Sequence, residues 1–501
     1  MDTFHNMIMG FYVTLTPVNL LFCFVGVLFG TLVGVLPGIG PIAAMSLLLP
    51  TTFSLPPVTS LIMLAGIYYG AMYGGSTTSI LVNIPGEAAS IVTCLDGYQM
   101  ARQGRAGVAL GISAFGSFIA GTLSLIGLMF LAPPLGEFAL RFGPPEYFSL
   151  MFLGLITLSF LFSGSMLKAL IMVIFGLMVG SIGMDTISGI PRFTHGVQTL
   201  VDGVGLIPVV MGMFGVAEVL SNLQEGMKRE IFKTRIGNLL PNLKDWVEST
   251  GAIIRGTLVG FLLGIIPGSG PVMSSFASYA VEKKVSRHPE RFGRGAIQGV
   301  AGPEAANNAA AGAGFVPLLS LGIPANPMMA LLVGAMIIHG LQPGPTLVSE
   351  HPQVFWGVIS SMYVGNVMLL FLNLPLIWIW VKVLKIPYSI LFPLILIFCL
   401  IGVYSINNDW VEIPIMILFG ILGFFLKHLD YEPAPFVLAL VLGPMMETAF
   451  RQSLLLSKGS PDIFLMRPIS GILMGGAFLM LALPIFRFAK RTLKGAQLSF
   501  K

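Results

Sequence analysis

The sequence predicts an all-α polytopic membrane protein made of two inverted repeats, each with a re-entrant hairpin and a broken helix. Three observations carry that prediction. Of 501 residues, 55% are hydrophobic and only 10% are charged, too few charges to cover a water-facing surface. The stretch "GVLFGTLVGVLPGIGP" (Gly26–Pro41) returns as "GTLVGFLLGIIPGSGP" (Gly256–Pro271), both reading G-x-x-x-G-x-x-x-G-x-x-P-G-x-G-P. Basic residues fall in the loops between apolar segments, and in the two halves they alternate in opposite phase.

From the N-terminus, "MDTFHN" lacks the basic stretch of a cleavable signal, so the first apolar segment is expected to be kept. Repeat 1 spans 1–222 and opens with a hairpin at about 18–55 that contains no Lys or Arg. Its tip is Pro37–Pro41, where proline ends each arm and glycine permits the sharp turn. Gly38, Ile39 and Gly40 are candidate substrate contacts, because a tip leaves backbone N–H and C=O groups without intrahelical partners. A broken helix at about 61–94 follows, "GIYYGAMYGGSTTSILVNIPGEAAS" (Gly66–Ser90). Its polar groups stand out in an apolar stretch, and Ser76, Thr77, Thr78, Asn83 and Gly86 join the candidate substrate site. Arg102 and Arg105 then fall inside, Arg141 outside, Lys168 inside, Arg192 outside and Lys228 inside.

The charged segment 223–250 reads as a cytoplasmic linker. Repeat 2 spans 251–460, with a hairpin at about 251–281 and candidate tip residues Gly268, Ser269 and Gly270. Basic residues on both sides of this hairpin place both its ends in the cytoplasm. The second broken helix, about 296–327, reads "GPEAANNAAAGAGFVPLLSLGIPANP" from Gly302, with Asn307 and Asn308 among small residues. "NIPGEA" (Asn83–Ala88) matches "GIPANP" (Gly322–Pro327), and "IMVIFG" (Ile171–Gly176) matches "IMILFG" (Ile415–Gly420). Residues 461–501 supply one extra helix and a basic tail. The count is about 11 crossings plus 2 hairpins, with the N-terminus periplasmic and the C-terminus cytoplasmic.

Inverted repeats with paired broken helices point to secondary transport, with sites near the membrane midplane. Freed carbonyls, amides and hydroxyls suit Na⁺, so Thr77, Asn83, Asn308, Gly322 and Pro324 are candidate ion ligands. Glu87 and Glu304 flank the breaks. Either they serve a ligand, since a buried carboxylate is costly, or they lie at an aqueous edge and cap local backbone. Glu218 and Glu447, near the ends of the last helices of the repeats, suit an interfacial role.

These segments resemble the large membrane subunit of the tripartite tricarboxylate transporters, the TctA-type protein. The resemblance covers nearly the whole chain through "GTLVGVLPGIGP", "YYGAMYGGSTTSILVNIPGEAAS", "DGYQMARQGRAGVALG" and "GPEAANNAAAGAGFVPLLSLGIP". It implies a bacterial inner-membrane, cation-coupled importer of carboxylates such as citrate, other tricarboxylates, dicarboxylates or aromatic acids. It also implies two partners, a small four-helix membrane subunit and a periplasmic solute-binding protein. An elevator-type movement and coupling to Na⁺ or H⁺ are implied by similarity to other two-hairpin transporters. No Lys or Arg lies between Ala106 and Leu140, between Gly295 and Lys382, or in either tip. An anionic substrate would then be held by backbone N–H groups, hydroxyls, amides and a co-bound cation.

Other classes fare worse. The six histidines lie apart with no HExxH, and the three cysteines show no paired spacing, so neither an enzyme nor a cofactor or metal site beyond Na⁺ is expected. Nothing in the charge pattern suggests nucleic acid. A channel, or a carboxylate symporter working without a binding protein, stand as the alternatives.

Overall fold

The computed structural model describes residues 3–36, 40–161, 165–185, 187–225, 237–268, 270–384, 388–407 and 409–482. In chain order the helices are α1 (Thr3–Thr14), α2 (Pro17–Val35), α3 (Gly40–Leu48), α4 (Pro57–Val82), α5 (Ile91–Arg102), α6 (Ala106–Ala139), α7 (Pro144–Leu161) and α8 (Met166–Gly180). After a two-residue antiparallel pairing of Gly183–Met184 with Pro191–Arg192, α9 (Leu206–Val210) runs through a π-helical segment, Met211–Val216, into α10 (Ala217–Glu225). Then follow α11 (Leu243–Ile265), α12 (Gly270–Val285), α13 (Gln298–Ala313), α14 (Phe315–Leu321), α15 (Pro327–Ile338), α16 (Thr346–Glu350) and α17 (Pro352–Asn373). The last are α18 (Ile377–Val383), α19 (Tyr388–Asn407), α20 (Glu412–His428), α21 (Ala434–Leu456) and α22 (Ile463–Met466), and an apolar helix at Pro468–Ala482.

This is an all-α polytopic membrane protein. Among the described residues, six helices are long and apolar enough to cross a bilayer, and four shorter ones are apolar. Most of the linker's basic residues, including Lys228, and the basic tail beyond Ala482 lie outside the described residues.

The chain divides into two compact units, each drawing on both sequence halves. Unit 1 comprises Met1–Leu140 and Gly205–Leu429, and unit 2 comprises Arg141–Val204 and Asp430–Lys501.

In unit 1, α2 lies on α4 and α11 lies on α13 with backbones in direct contact. A Cβ at Gly26, Gly30 or Gly34 would overlap the carbonyl oxygen of Met63, Ile67 or Ala71. A Cβ at Gly256 or Gly260 would overlap that of Gly302 or Ala306. The repeated G-x-x-x-G-x-x-x-G spacing is therefore a seam in which one helix face has no side chains, as membrane helices allow. Burial follows: every residue of α4 from Thr59 to Val82 is buried, and so is all of α13 from Gly299 on. At the start of α11, Asn242 and Asp245 form a capping box, and Arg105 reaches Asp245 at 2.6 Å.

In unit 2, α8 packs on α21, where a Cβ at Gly176 would overlap the Phe436 carbonyl oxygen. Phe148, Phe450 and Phe464 cluster with ring centroids 4.8–5.4 Å apart. Asp185, Arg192, Glu447 and Arg451 form an ion-pair network, with Arg192 gripping both Glu447 oxygens at 2.7 and 3.1 Å.

Candidate functional site

Four chain breaks lie in unit 1, and they form two like pairs. Between α2 and α3, Leu36 is extended and Gly40 has φ +70°, while Pro37, Gly38 and Ile39 lie outside the described residues. Between α11 and α12, Ile266 is extended, Gly268 has φ +89° and Gly270 has φ +47°. Ser269 lies outside the described residues. Proline ends the first arm, and the positive φ angles require glycine.

The other two breaks share a different device. Asn83 closes α4 in the left-handed conformation at φ 59°, and Gly322 closes α14 at φ 73°. Each is followed by Ile-Pro, which keeps the chain from resuming a helix at once. The next helical turn then starts on an extended capping residue. Glu87 accepts the Ala89 N–H, and Asn326 accepts the Met329 N–H at 3.1 Å. "NIPGEA" and "GIPANP" thus fold alike despite different side chains. The two kinds of break touch, because the Gly268 N–H donates to the Ala325 carbonyl at 2.8 Å. Asn326 also reaches across to the Tyr68 hydroxyl of α4 at 2.9 Å.

Between the seams lies a buried polar centre. Glu304 of α13 is 1% exposed; its carboxylate accepts the Ser76 hydroxyl of α4 at 2.5 Å and the Thr93 hydroxyl of α5. Glu87 is also buried, and one of its oxygens faces the Asn307 amide nitrogen at 3.5 Å. Asn307 is fully buried and its Oδ1 has no partner. Asn308 donates to the Ser117 hydroxyl of α6 at 2.7 Å and to the Glu304 carbonyl at 3.1 Å. Thr78 ties α4 to the end of α2 through the Val35 carbonyl at 2.6 Å, and Ser79 bonds Ser90 at 2.9 Å.

The sequence-expected residues separate accordingly. Ser76, Asn307 and Asn308 come together with the two glutamates. Thr77 is buried beside them on α4, and Gly86 packs so tightly that a Cβ would overlap the Gly34 carbonyl oxygen. Asn83 is exposed, and what it contributes is its backbone conformation. Of the two readings open for Glu304, the aqueous edge does not hold: α13 is sheathed by α4, α5, α6, α11 and α12.

Sequence reasoning missed Thr93, Ser117, Tyr68 and Asn326. For Asn326 a signal existed, since it holds the position in "GIPANP" that Glu87 holds in "NIPGEA". It also missed Asp96, which accepts the N–H groups of Gly293, Gly295 and Ala296 at 2.8–2.9 Å and the Tyr279 hydroxyl at 2.9 Å. Asp96 thereby fixes the chain that leads into α13.

Among the described residues, neither Glu87 nor Glu304 pairs with Lys, Arg or His. A fixed pair joins α11 to α12, where Arg255 grips Glu282 at 2.6 and 2.8 Å.

Comparison with known proteins identifies the family. The family model of the tripartite tricarboxylate transporter TctA family matches residues 20–438. An uncharacterized 52.8 kDa protein of the TAR-I ttuC' 3' region of Agrobacterium vitis is 54% identical over 474 residues, 95% of this chain and 94% of its own length. An uncharacterized protein of the TAR-II ttuC' 3' region of the same organism is 54% identical over 216 residues, 43% of this chain and 89% of that one. No solved structure matches. A chain matched over residues 20–438 by this model, and through 95% of its length by a relative, belongs to the tripartite tricarboxylate transporter TctA family.

Proposed function

We propose that the protein is the large membrane subunit of a cation-coupled importer, taking up a carboxylate delivered by a periplasmic solute-binding protein. A small four-helix membrane subunit completes the assembly in the inner membrane. The observation that carries the reading is the pairing of like breaks around a buried polar centre in which, among the described residues, no fixed cation stands. Backbone N–H groups at the breaks suit an anion, while hydroxyls, amides and carbonyls suit a co-transported Na⁺ or H⁺. The substrate contacts are the tips Gly38–Gly40 and Gly268–Gly270 with Ser76, Thr77, Thr78, Gly86, Asn307 and Asn308. Thr77, Asn308 and the backbone at Asn83, Gly322 and Pro324 serve the ion.

The inverted-repeat, elevator-type reading has support from two ion pairs. Glu218 of α10 meets Lys427 at the end of α20 at 2.7 Å. Glu447 of α21 meets Arg192, which follows α8, at 2.7 Å. In each pair the glutamate belongs to one repeat and the base to the other. The basic-loop rule puts Lys427 inside and Arg192 outside, so the exchange is reciprocal across opposite faces.

The test is transport in proteoliposomes holding the three proteins, with a carboxylate panel under separate Na⁺ and H⁺ gradients. The expected result is accumulation of a carboxylate that needs both the binding protein and one gradient. Accumulation without the binding protein would favour a stand-alone symporter, and flux indifferent to any gradient would favour a channel.

A further inference from the structure

We propose that a small cavity inside unit 1, between α4, α6, α13 and α17, is a Na⁺ site with Asn308, Asn366 and Tyr73 as its oxygen ligands. The inference rests on the cation-coupled reading above. It names the ion and gives it a place apart from the chain breaks.

The cavity has a volume of about 20 Å³, and Tyr69, Tyr73, Gly121, Asn308, Gly312 and Asn366 line it with two apolar side chains. That is room for one water-sized occupant and far too little for a carboxylate substrate. Both asparagines are buried. Gly121 keeps the space open, because a Cβ there would stand 3.1 Å from Nδ2 and 3.3 Å from Oδ1 of Asn366.

The hydrogen bonds around the cavity decide what fits. Asn308 donates both amide hydrogens, to the Ser117 hydroxyl at 2.7 Å and to the Glu304 carbonyl at 3.1 Å. Asn366 donates both of its own, to the Phe118 carbonyl at 2.9 Å and the Thr122 hydroxyl at 3.0 Å. A backbone carbonyl only accepts, so neither amide can be turned round. The Tyr73 hydroxyl donates to Oδ1 of Asn366, and the Tyr69 hydroxyl is directed to the Ser361 carbonyl at 3.4 Å. Lone pairs are what remain. They are those of Asn308 Oδ1, which accepts from no donor among the described residues, the second pair of Asn366 Oδ1, and the hydroxyl oxygens.

A water donates two hydrogen bonds but also needs donors for its own oxygen, and the lining side chains have none left. A cation needs lone pairs alone. The ligands are neutral, whereas divalent ions draw on carboxylates, so the occupant carries a single charge. Na⁺ is the hard monovalent ion that such oxygens take. Glu304 lies one helical turn from Asn308 on α13, and its hydroxyl donor Ser76 lies one turn from Tyr73 on α4. A cation in the cavity therefore stands about one turn from that carboxyl and favours its ionised form. With ligands on α4, α13 and α17, one ion ties three helices together.

Binding of radioactive Na⁺ alone to the full-length protein in lipid, in choline buffer, reads the site without knowing the substrate. The expected result is saturable binding that weakens at least tenfold in Asn308→Leu and in Gly121→Ala. Gly121→Ala adds one methyl group, so the test stands if Asn308→Leu fails to fold. Tyr73→Phe combined with Asn366→Leu removes both ends of one hydrogen bond and is expected to abolish binding. Unchanged Na⁺ affinity in these variants, or no binding in the unmodified protein, overturns the proposal. Citrate uptake into proteoliposomes under separate Na⁺ and H⁺ gradients keeps the two ideas apart. Uptake driven by H⁺ alone in Na⁺-free buffer overturns the Na⁺ site while cation coupling stands. If no gradient matters to any carboxylate, coupling itself is wrong, and the site has no part in transport.

Discussion

The Gly268 N–H donates to the Ala325 carbonyl, and this one bond of 2.8 Å joins two chain breaks that lie far apart in sequence. Gly268 is at φ +89°, a conformation closed to β-branched residues. Gly268→Val must move the backbone there and loses the bond to Ala325. The expected outcome is a protein that inserts and assembles but no longer accumulates carboxylate, checked by uptake at matched membrane levels. Full uptake would reduce the break to a structural turn.

The glycine seams predict a sharp contrast in stability. Gly30→Ala and Gly260→Ala place a methyl group where the carbonyl oxygens of Ile67 and Ala306 already lie. Overpacking of this kind costs about 1–3 kcal/mol. Gly475→Ala, in the apolar helix Pro468–Ala482, meets nothing within 4 Å and is expected to be neutral or slightly stabilising. Thermal unfolding in detergent measures all three.

Gly75 tests the polar centre by shape. A Cβ there would stand 2.7 Å from Cγ and 3.2 Å from Oε1 of Glu87. Gly75→Ala is expected to push the carboxyl from its place and cut uptake at least tenfold, with unfolding temperature shifted by a few degrees only. A variant with normal uptake would show that the position of Glu87 does not matter to transport.

Acid pH tests the network in unit 2. The Arg451 guanidinium, and then the Ile187 and Ser188 N–H groups, hold the Asp185 carboxyl well below the usual carboxylate range. A lowered carboxyl contributes stability that is complete above its unfolded value, about 4, and is lost as pH falls toward its folded value. Asp185→Asn is therefore expected to destabilise the protein at pH 7. The difference from the unmodified protein should shrink as pH drops below about 4, read as paired unfolding temperatures across pH.

Topology is tested by labelling single cysteines in a chain without Cys23, Cys94 and Cys399. Ser188 and Asn238 are both exposed. Ser188→Cys, in the loop of Arg192, is expected to react in intact cells with a reagent that cannot cross the membrane. Asn238→Cys, at the end of the linker, should react only after the membrane is opened. Labelling of both from outside would defeat the opposed orientation of the repeats.

The repeated motifs were legible because they encode backbone: glycine at close approach, glycine or asparagine at positive φ, and proline after a break. Such requirements leave a mark on the residue itself. The polar centre was only half legible. Ser76, Asn307 and Asn308 stood out as polar groups in apolar surroundings, and all three are in it. Glu304 was left between two readings because an acid next to small residues looks the same in sequence whether the helix is sheathed or at an edge. Thr93 and Ser117 carried no signal, since a lone hydroxyl on a membrane helix usually bonds its own backbone. Their role depends on which helices meet α13. The units, too, were not legible, because their boundary follows contacts between halves and leaves no trace in composition.

The seams have a mechanical consequence. Helices slide past one another when a layer of side chains between them can change rotamers and act as a bearing. Where the Gly26, Gly30 and Gly34 faces rest on bare carbonyls, and again at Gly256 and Gly260, that layer is missing. Each contact is a weld, and shear along it would have to lift one backbone over another. The α2–α4 and α11–α13 pairs are stiff girders, and Thr78, Gly268 and Asn326 rivet the breaks to them. A push at Gly268 or Asn326 is therefore passed to the helices that these bonds reach, and along a girder to its far end.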